Sequence, residues 1–396
     1  MRSRRHDPSL MRIAIFTDTY APNVNGVART LARLTTALET RGHVSRVYTV
    51  GDPRALPDDA IVRWPGVPFW GYPELRLAAP GGAAVRAHLK LWAPTLVHVA
   101  TPFGVGLAGA SAAARLDLPF VSSYHTSFSQ YAHYYGFGAL AAPGWRYLRW
   151  FHNRGRRTYV PTRAVTGELA QHGFERLRVW PRGIDADVFN PRWRADELRR
   201  SWGASAESVV VAYVGRLAKE KGVDVAVDAM NRVRERCAHT RFVVVGDGPH
   251  ESAMRARAPR ETTFTGRLSG AALSAAYASA DILLFPSTTD TFGNVLLEGM
   301  ASRLAVIAAD TPQSREVCGR GTAEFFEPGS ARDLSERLCR LAMSPRERES
   351  VRDRALEHAS ARDWDAVFDT LFADYEVVSR DGAPVAVGRL GYALHS

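Results

Sequence analysis

The segment "TTDTFGNVLLEGMA" (288–301) holds two carboxylates, Asp290 and Glu298, with seven residues between them, a Thr-Phe-Gly turn and then an apolar helical pattern. Eight positions are a little over two helical turns, so the pair shares one helix face only if the helix starts at Asp290. With a turn in between, the two carboxylates reach different parts of one elongated ligand. Carboxylates accept from paired hydroxyls, so Asp290 suits a sugar and Glu298 a ribose, while the backbone N–H groups of Phe292, Gly293 and Asn294 suit phosphate oxygens. Spacing alone leaves a second reading open for each: an ordinary helix N-cap for Asp290 and an exposed helix residue for Glu298.

A second cluster lies in "GRLAKEKG" (215–222), directly after the buried-type run "VVVAYV". Arg216 and Lys221, flanked by Gly215 and Gly222 and followed by a helix start, form a diphosphate site, because unpaired N–H groups, the helix dipole and two fixed cations favour the same anion. The alternative is a pair of solvated surface charges. The spacing is not that of a Walker A loop, and "GDGPHE" lacks the third glycine of a dinucleotide fingerprint.

Such residues act only if folded elements bring them to one place. "RIAIFT" (12–17) opens a strand, and after the loop "DTYAPNVNG" a helix carries Val27, Leu31, Leu34 and Leu38 on one face. Strands are predicted at 44–50, 96–100, 120–125 and 157–162, with helical stretches between several of them. The pattern restarts after "RGIDADVFNP" with a strand at 209–215, a helix on Val223, Val227, Met230 and Val233, and five further strands beginning at "RFVVVGDGP". Alternation of this kind predicts an α/β chain of two doubly wound parallel-sheet domains facing each other across a cleft, where open α/β sheets bind ligands. The expected division is 12–183, 184–375 with a terminal helix at "DWDAVFDTLFADYEVVS", and a weakly structured tail over 376–396.

Composition narrows the setting. A chain of 396 residues, 46% hydrophobic, carries enough apolar surface for two cores. Cys237, Cys318 and Cys339 are odd in number and widely spaced, which argues against a disulfide framework or a zinc site and for a reducing compartment. "MRSRRHDPSLMRIAIF" lacks the apolar run of a signal peptide, Met11 is an alternative start, and a cytoplasmic location is expected. Arg115 and Asp117 interrupt the small-residue stretch 102–121, so it reads as a core helix followed by a strand and not as a membrane span. A net charge of +10 favours anionic partners, yet no RNA-binding aromatic signature or zinc-finger spacing supports nucleic acid.

The ordered series "RLAKEKG", "VVVGDGP", "FTG", "ADILLFPS" and "DTFGNVLLEGMAS" resembles the C-terminal domain of retaining glycosyltransferases of family four, which have the GT-B fold. "IFTDTYAPNVNGVARTL", "WPGVPFWGYPELRLAAP", "SSYHTSFSQYAHYYGFG" and "RGIDADVFNP" resemble the branch of sulfoquinovosyl diacylglycerol synthases and bacterial lipid mannosyltransferases. The likeness spans about residues 12–375. It implies transfer of a hexose from a nucleotide diphosphate sugar, GDP-mannose or a UDP-hexose, with retention and without a metal or other cofactor. By resemblance, Arg216 and Lys221 hold the diphosphate, Glu298 the ribose, Gly26 lets the first helix approach the phosphates, and His125 contacts the donor sugar. Asp290 stands where the family usually has Glu, which draws the carboxylate back by about one carbon–carbon bond.

The acceptor is expected against the first domain. Trp64, Trp70 and Tyr72 in a Pro- and Gly-punctuated loop, with Tyr131 further on, suit a lipid or glycolipid at an anionic membrane, on its inner face; core packing is the alternative. A transferase acting on a soluble acceptor, a nucleotide-sugar epimerase and a non-catalytic nucleotide-binding protein are the competing functions.

Overall fold

The computed structural model describes residues 10–23, 25–69, 72–125 and 141–380, with side chains undescribed at 69 and 72–75. Trp70 and Tyr131 lie outside the described residues, as does the side chain of Tyr72.

The first domain is built on β1 (Arg12–Phe16), β2 (Val44–Val50), β3 (Ile61–Trp64), β6 (Leu96–Val99), β7 (Phe120–Ser123), β8 (Thr158–Val160) and β9 (Leu177–Val179). They form one parallel sheet in the order β3-β2-β1-β6-β7-β8-β9, and β4 (Val67–Phe69) pairs with β5 (Tyr72–Leu77) in a separate hairpin. Helices α1 (Gly26–Thr40), α2 (Gly82–Trp92), α3 (Gly104–Arg115), α4 (Ala141–His152) and α5 (Arg163–Gln171) cover it. The apolar stripe of α1 behaves as its 3.6-residue period demands: Leu31, Leu34 and Leu38 are fully buried.

After a short helix α6 (Asp196–Ser201), the second domain repeats the plan. Its strands are β10 (Val209–Val214), β11 (Thr240–Val245), β12 (Thr263–Gly266), β13 (Ile282–Phe285), β14 (Ala305–Ala309) and β15 (Ala323–Phe326), in the parallel order β12-β11-β10-β13-β14-β15. Helices α7 (Val223–Arg234), α8 (Glu251–Arg257), α9 (Gly270–Ser279), α10 (Asn294–Ala301), α11 (Pro312–Cys318), α12 (Ala331–Met343) and α13 (Pro345–Ser360) flank it, and an apolar core fills each face of the sheet. In both sheets the strand order reverses beside the first strand, at β1/β6 and at β10/β13. Chains leaving the carboxyl ends of strands on the two sides of such a point diverge and open a crevice.

The final helix, α14 (Trp364–Arg380), corrects the expected division. Phe368, Leu371, Phe372, Tyr375 and Val378 pack with Ile13, Leu31, Leu34 and Val121 in the first domain's core, so α14 belongs to that domain and not to the second. It runs through Arg380, one residue past the segment expected to be helical and into the stretch 376–396 assigned to the tail. Sequence proximity suggested the wrong neighbour: α14 is amphipathic, and periodicity says that it buries a face but not which sheet receives it. Its return is fixed where two chain crossings touch. Ile184 N–H donates to the Arg362 carbonyl (2.8 Å), and a Cβ on Gly183 would stand 2.6 Å from the Trp364 nitrogen, so only glycine admits the crossing. Among the described residues, no helix is long and apolar enough to cross a membrane.

Candidate active site

The loops after β10 and β13 meet at the reversal point of the second sheet. β10 ends at Val214, the chain turns through Arg216 and a single 3-10 turn at Lys219–Lys221, and α7 begins after Gly222. The Lys221 ammonium donates to Asp290 Oδ1 at 2.9 Å, while Arg216 lies 3.6 Å from the carboxylate of buried Glu220. The Thr289 hydroxyl donates to the Glu220 carbonyl (3.3 Å) and clips the two loops together.

Asp290 is not an N-cap. The capping position of α10 is Gly293, held at φ 82°, and no side chain caps this end. The first-turn N–H groups therefore retain their affinity for an anion, beside the Lys221 charge. Phe292 is buried in the second domain's core, so its side chain anchors the loop and only its backbone is offered to a ligand.

Glu298 is not an exposed helix residue either. It is 5% exposed, its Oε2 accepts from the buried Tyr277 hydroxyl (2.7 Å) and its Oε1 from Arg29 of the first domain (3.2 Å). Arg29 reaches it from α1, whose start faces α10: a Cβ on Gly26 would lie 3.4 Å from Asn294 Nδ2. Arg29, Arg33, Asp185, Phe189, Asn294, Glu298 and Trp364 are among the residues lining one pocket between the domains.

His125 follows β7 at the carboxyl end of the first sheet. The Thr291 hydroxyl, next to Asp290, donates to its carbonyl (2.8 Å), and Thr162 donates to the Thr291 carbonyl (3.3 Å). The loop bearing Asp290 is thus seated against His125 across the cleft. Burial, with the positive charge of Arg182, holds the His125 imidazole well below the usual histidine range, so it is neutral at physiological pH. Behind it, His98 is hydrogen-bonded at both ring nitrogens, to Tyr375 of α14 at Nδ1 and to Ser123 at Nε2, donating through one and accepting through the other.

The structure brings Lys221, Asp290, Asn294, Glu298, Gly26 and His125 to the facing ends of both domains, with Arg216 at their edge. Trp64 is not brought there. It ends β3, four strand positions from β7 and so roughly 19 Å away at the usual strand spacing, and its partly buried ring packs edge-on against His88 (5.4 Å) in the first domain's core. Sequence reasoning missed Arg29, Tyr277, Thr291 and Arg182. A signal for Arg29 was present: Gly26, Arg29 and Arg33 recur at helical spacing on the side of α1 away from its leucines. It also missed Asp18, after β1, whose carboxylate accepts from Thr101 Oγ1 (2.7 Å) and from the Val105 N–H at the start of α3 (2.8 Å). Burial pushes Asp18 up to about 6 despite those bonds. Among the described residues, no three His, Cys, Asp or Glu side chains converge as a metal site.

Comparison with known proteins places this arrangement. The family model Glycosyltransferase Family 4 matches residues 24–188, and that of Glycosyl transferases group 1 matches residues 208–344. A GDP-mannose-dependent alpha-mannosyltransferase of Mycolicibacterium smegmatis is 34% identical over 93% of this chain and 98% of its own length. An alpha-monoglucosyldiacylglycerol synthase of Streptococcus pneumoniae is 31% identical over 76% of this chain and 72% of its own. Among solved structures, sucrose-phosphate synthase from Thermosynechococcus elongatus has the same fold, with a TM-score of 0.76 at 18% identity over 93% of this chain and 99% of that one. Two doubly wound domains facing across a cleft are the GT-B arrangement, and the chain belongs to glycosyltransferase family 4 and is a glycosyltransferase.

Proposed function

We propose that the protein moves a hexose from a nucleotide diphosphate sugar, GDP-mannose or a UDP-hexose, to a lipid or glycolipid acceptor, with retention and without a metal ion. The observation that carries this reading is the Thr291–His125 hydrogen bond, which sets the Asp290 loop of one domain on the histidine of the other. A donor held there has its diphosphate at Lys221, Arg216 and the uncapped start of α10, its ribose at Glu298, and its hexose between Asp290 and His125. The second domain then serves the donor and the first the acceptor.

The chemistry follows from where charge develops. As the bond between the anomeric carbon and the phosphate oxygen breaks, negative charge grows on the departing diphosphate, and Lys221, Arg216 and the α10 N–H groups offset it. The acceptor oxygen attacks from the same face and its proton passes to the departing phosphate oxygen, so configuration is kept without a protein nucleophile. An α-product from α-linked GDP-mannose, the chemistry in the name of the mycobacterial relative, is a retention and supports this course. The name of the pneumococcal relative supports a lipid acceptor. A net charge of +10 suits work at an anionic membrane, on its inner face.

The test is nucleoside diphosphate release from a panel of GDP- and UDP-sugars in EDTA, with and without a lipid extract. Lipid-dependent release from one donor is expected, with a product of retained configuration. Release that needs a divalent cation, or that proceeds equally with water-soluble sugars as acceptors, refutes the corresponding part.

A further inference from the structure

Arg182 lies three residues beyond β9 and is 5% exposed, yet among the described residues no carboxylate pairs with it. Its Nη1 donates to the carbonyls of Trp180 (2.7 Å) and Pro181 (3.0 Å), and its guanidinium carbon sits 4.7 Å from the centre of the Trp180 ring. The remaining arm, Nη2, lies 3.0 Å from His125 Nδ1. Burying a cation without a counter-charge is costly, so its placement calls for a reason. A guanidinium has five donors and no acceptor, so Nδ1 must present its lone pair to it. A neutral imidazole with a bare Nδ1 carries its proton on Nε2. That Nε2 is buried and has no hydrogen-bond partner among the described residues.

We propose that Arg182 is a positioning residue that fixes His125 as the neutral imidazole protonated on Nε2, so that this N–H stands ready to donate to a hydroxyl of the bound sugar. The role in transfer rests on the proposed function; the tautomer does not. Among the described residues, the titratable groups facing His125 are Arg182, His98, His152 and Asp290. Arg182 opposes a second positive charge, His98 on β6 and His152 on α4 are themselves held neutral by burial, and the facing loop brings Asp290 already paired to Lys221. Burial pulls the Arg182 guanidinium down to about 9, which leaves it charged at neutral pH.

The first experiment needs neither substrate nor variant activity. In the full chain labelled with [15N]histidine, multiple-bond 1H–15N correlation identifies each tautomer, and the His125→Gln spectrum assigns the His125 pattern by its loss. A bare Nδ1 and a protonated Nε2, unchanged from about pH 5.5 to 8, are expected for a histidine removed from its ordinary range near 6.5. A protonated Nδ1, or a ring that titrates within that span, overturns the proposal. The second experiment follows donor turnover. Arg182→Met is expected to lower kcat by about 10- to 100-fold with donor KM within about threefold, the size of a lost transition-state contact, and to introduce an acid limb absent from the parent. Arg182→Lys, which keeps a positive charge and a donor for Nδ1, restores most of kcat and removes the limb. A kcat unchanged in Arg182→Met, or a Lys variant as impaired as the Met variant, refutes the positioning role. If Arg182→Met does not fold, the nitrogen shifts of the parent chain decide alone. Absence of turnover with every donor overturns the transfer reading and leaves the tautomer to be judged by those shifts.

Discussion

Acidification is expected to unfold this protein through its buried histidines. His98 and His152 are 0% and 1% exposed, and burial pulls each down to about 3. A histidine depressed in the folded state contributes stability that is complete above its unfolded value near 6.5 and is lost as pH falls towards the folded value. Between pH 7 and 5 each of the two therefore costs about 2 kcal/mol, and His125 adds a loss of the same sign. Asp18 works the other way. Raised to about 6, it contributes stability below its unfolded value that is lost as pH rises through 6, so acidification to pH 5 returns about 1 kcal/mol. The histidines win, and the net loss is roughly 3 kcal/mol or more, a large part of the ~5–15 kcal/mol that holds an ordinary domain folded. Urea midpoints followed by tryptophan fluorescence at pH 7, 6 and 5, at fixed ionic strength, measure it. His98→Gln removes one titrating group from the Ser123 and Tyr375 contacts, and its loss over the same span is expected to be smaller by about 2 kcal/mol. Equal stability at pH 7 and 5, or an unchanged pH slope in His98→Gln, would refute the reasoning.

Lys221→Met removes a unit charge from the diphosphate position, worth up to ~4 kcal/mol at 4 Å with an effective dielectric near 20, before the offsetting solvation of the free donor. A fall in kcat/KM of about 10²- to 10³-fold is expected, read by nucleoside diphosphate release; less than threefold would remove Lys221 from the site. Arg29 is 44% exposed in its pair with Glu298, a pair of the kind worth ~0–1 kcal/mol, so Arg29→Met should lower donor KM by no more than about fivefold. A rise above tenfold would make Arg29 a donor ligand and not a competitor for Glu298. Leu371→Ala, 3% exposed on α14, is expected to cost ~2–5 kcal/mol and lower the urea midpoint, while an α14 not packed on the first sheet would lose little.

The strands most clearly written in the sequence were the central ones, because a parallel strand covered on both faces is a continuous apolar run. "RIAIF", "VVVAYV" and "ILLF" are of this type, and each stands beside a reversal point that shapes the cleft. The edge strands of the first sheet were not legible: β9, with exposed Arg178 and Val179, and β3, with all four residues half-buried, carry no such run. The same contrast holds for the site. Asp290 and Lys221 lie in loops that follow strands and Glu298 on the helix just after, so they could be named from spacing, and that spacing also placed Gly293 beside the start of α10. Arg29, Tyr277, Thr291 and Arg182 owe their positions to contacts between segments up to 269 residues apart, which no local pattern encodes.

The return of α14 bears on how this chain is made. The first sheet is complete in sequence once β9 has left the ribosome, but one face lacks its cover of Phe368, Leu371, Phe372 and Tyr375 until synthesis reaches the last helix. Domains translated in order ordinarily fold in order. Here the domain begun first is finished last, after all of its neighbour has emerged, and Ile13, Leu31 and Val121 stay open to solvent or to a chaperone in the interval. A truncation that stops short of Trp364 would prolong that interval indefinitely, and would injure the half of the molecule farthest from the cut in sequence.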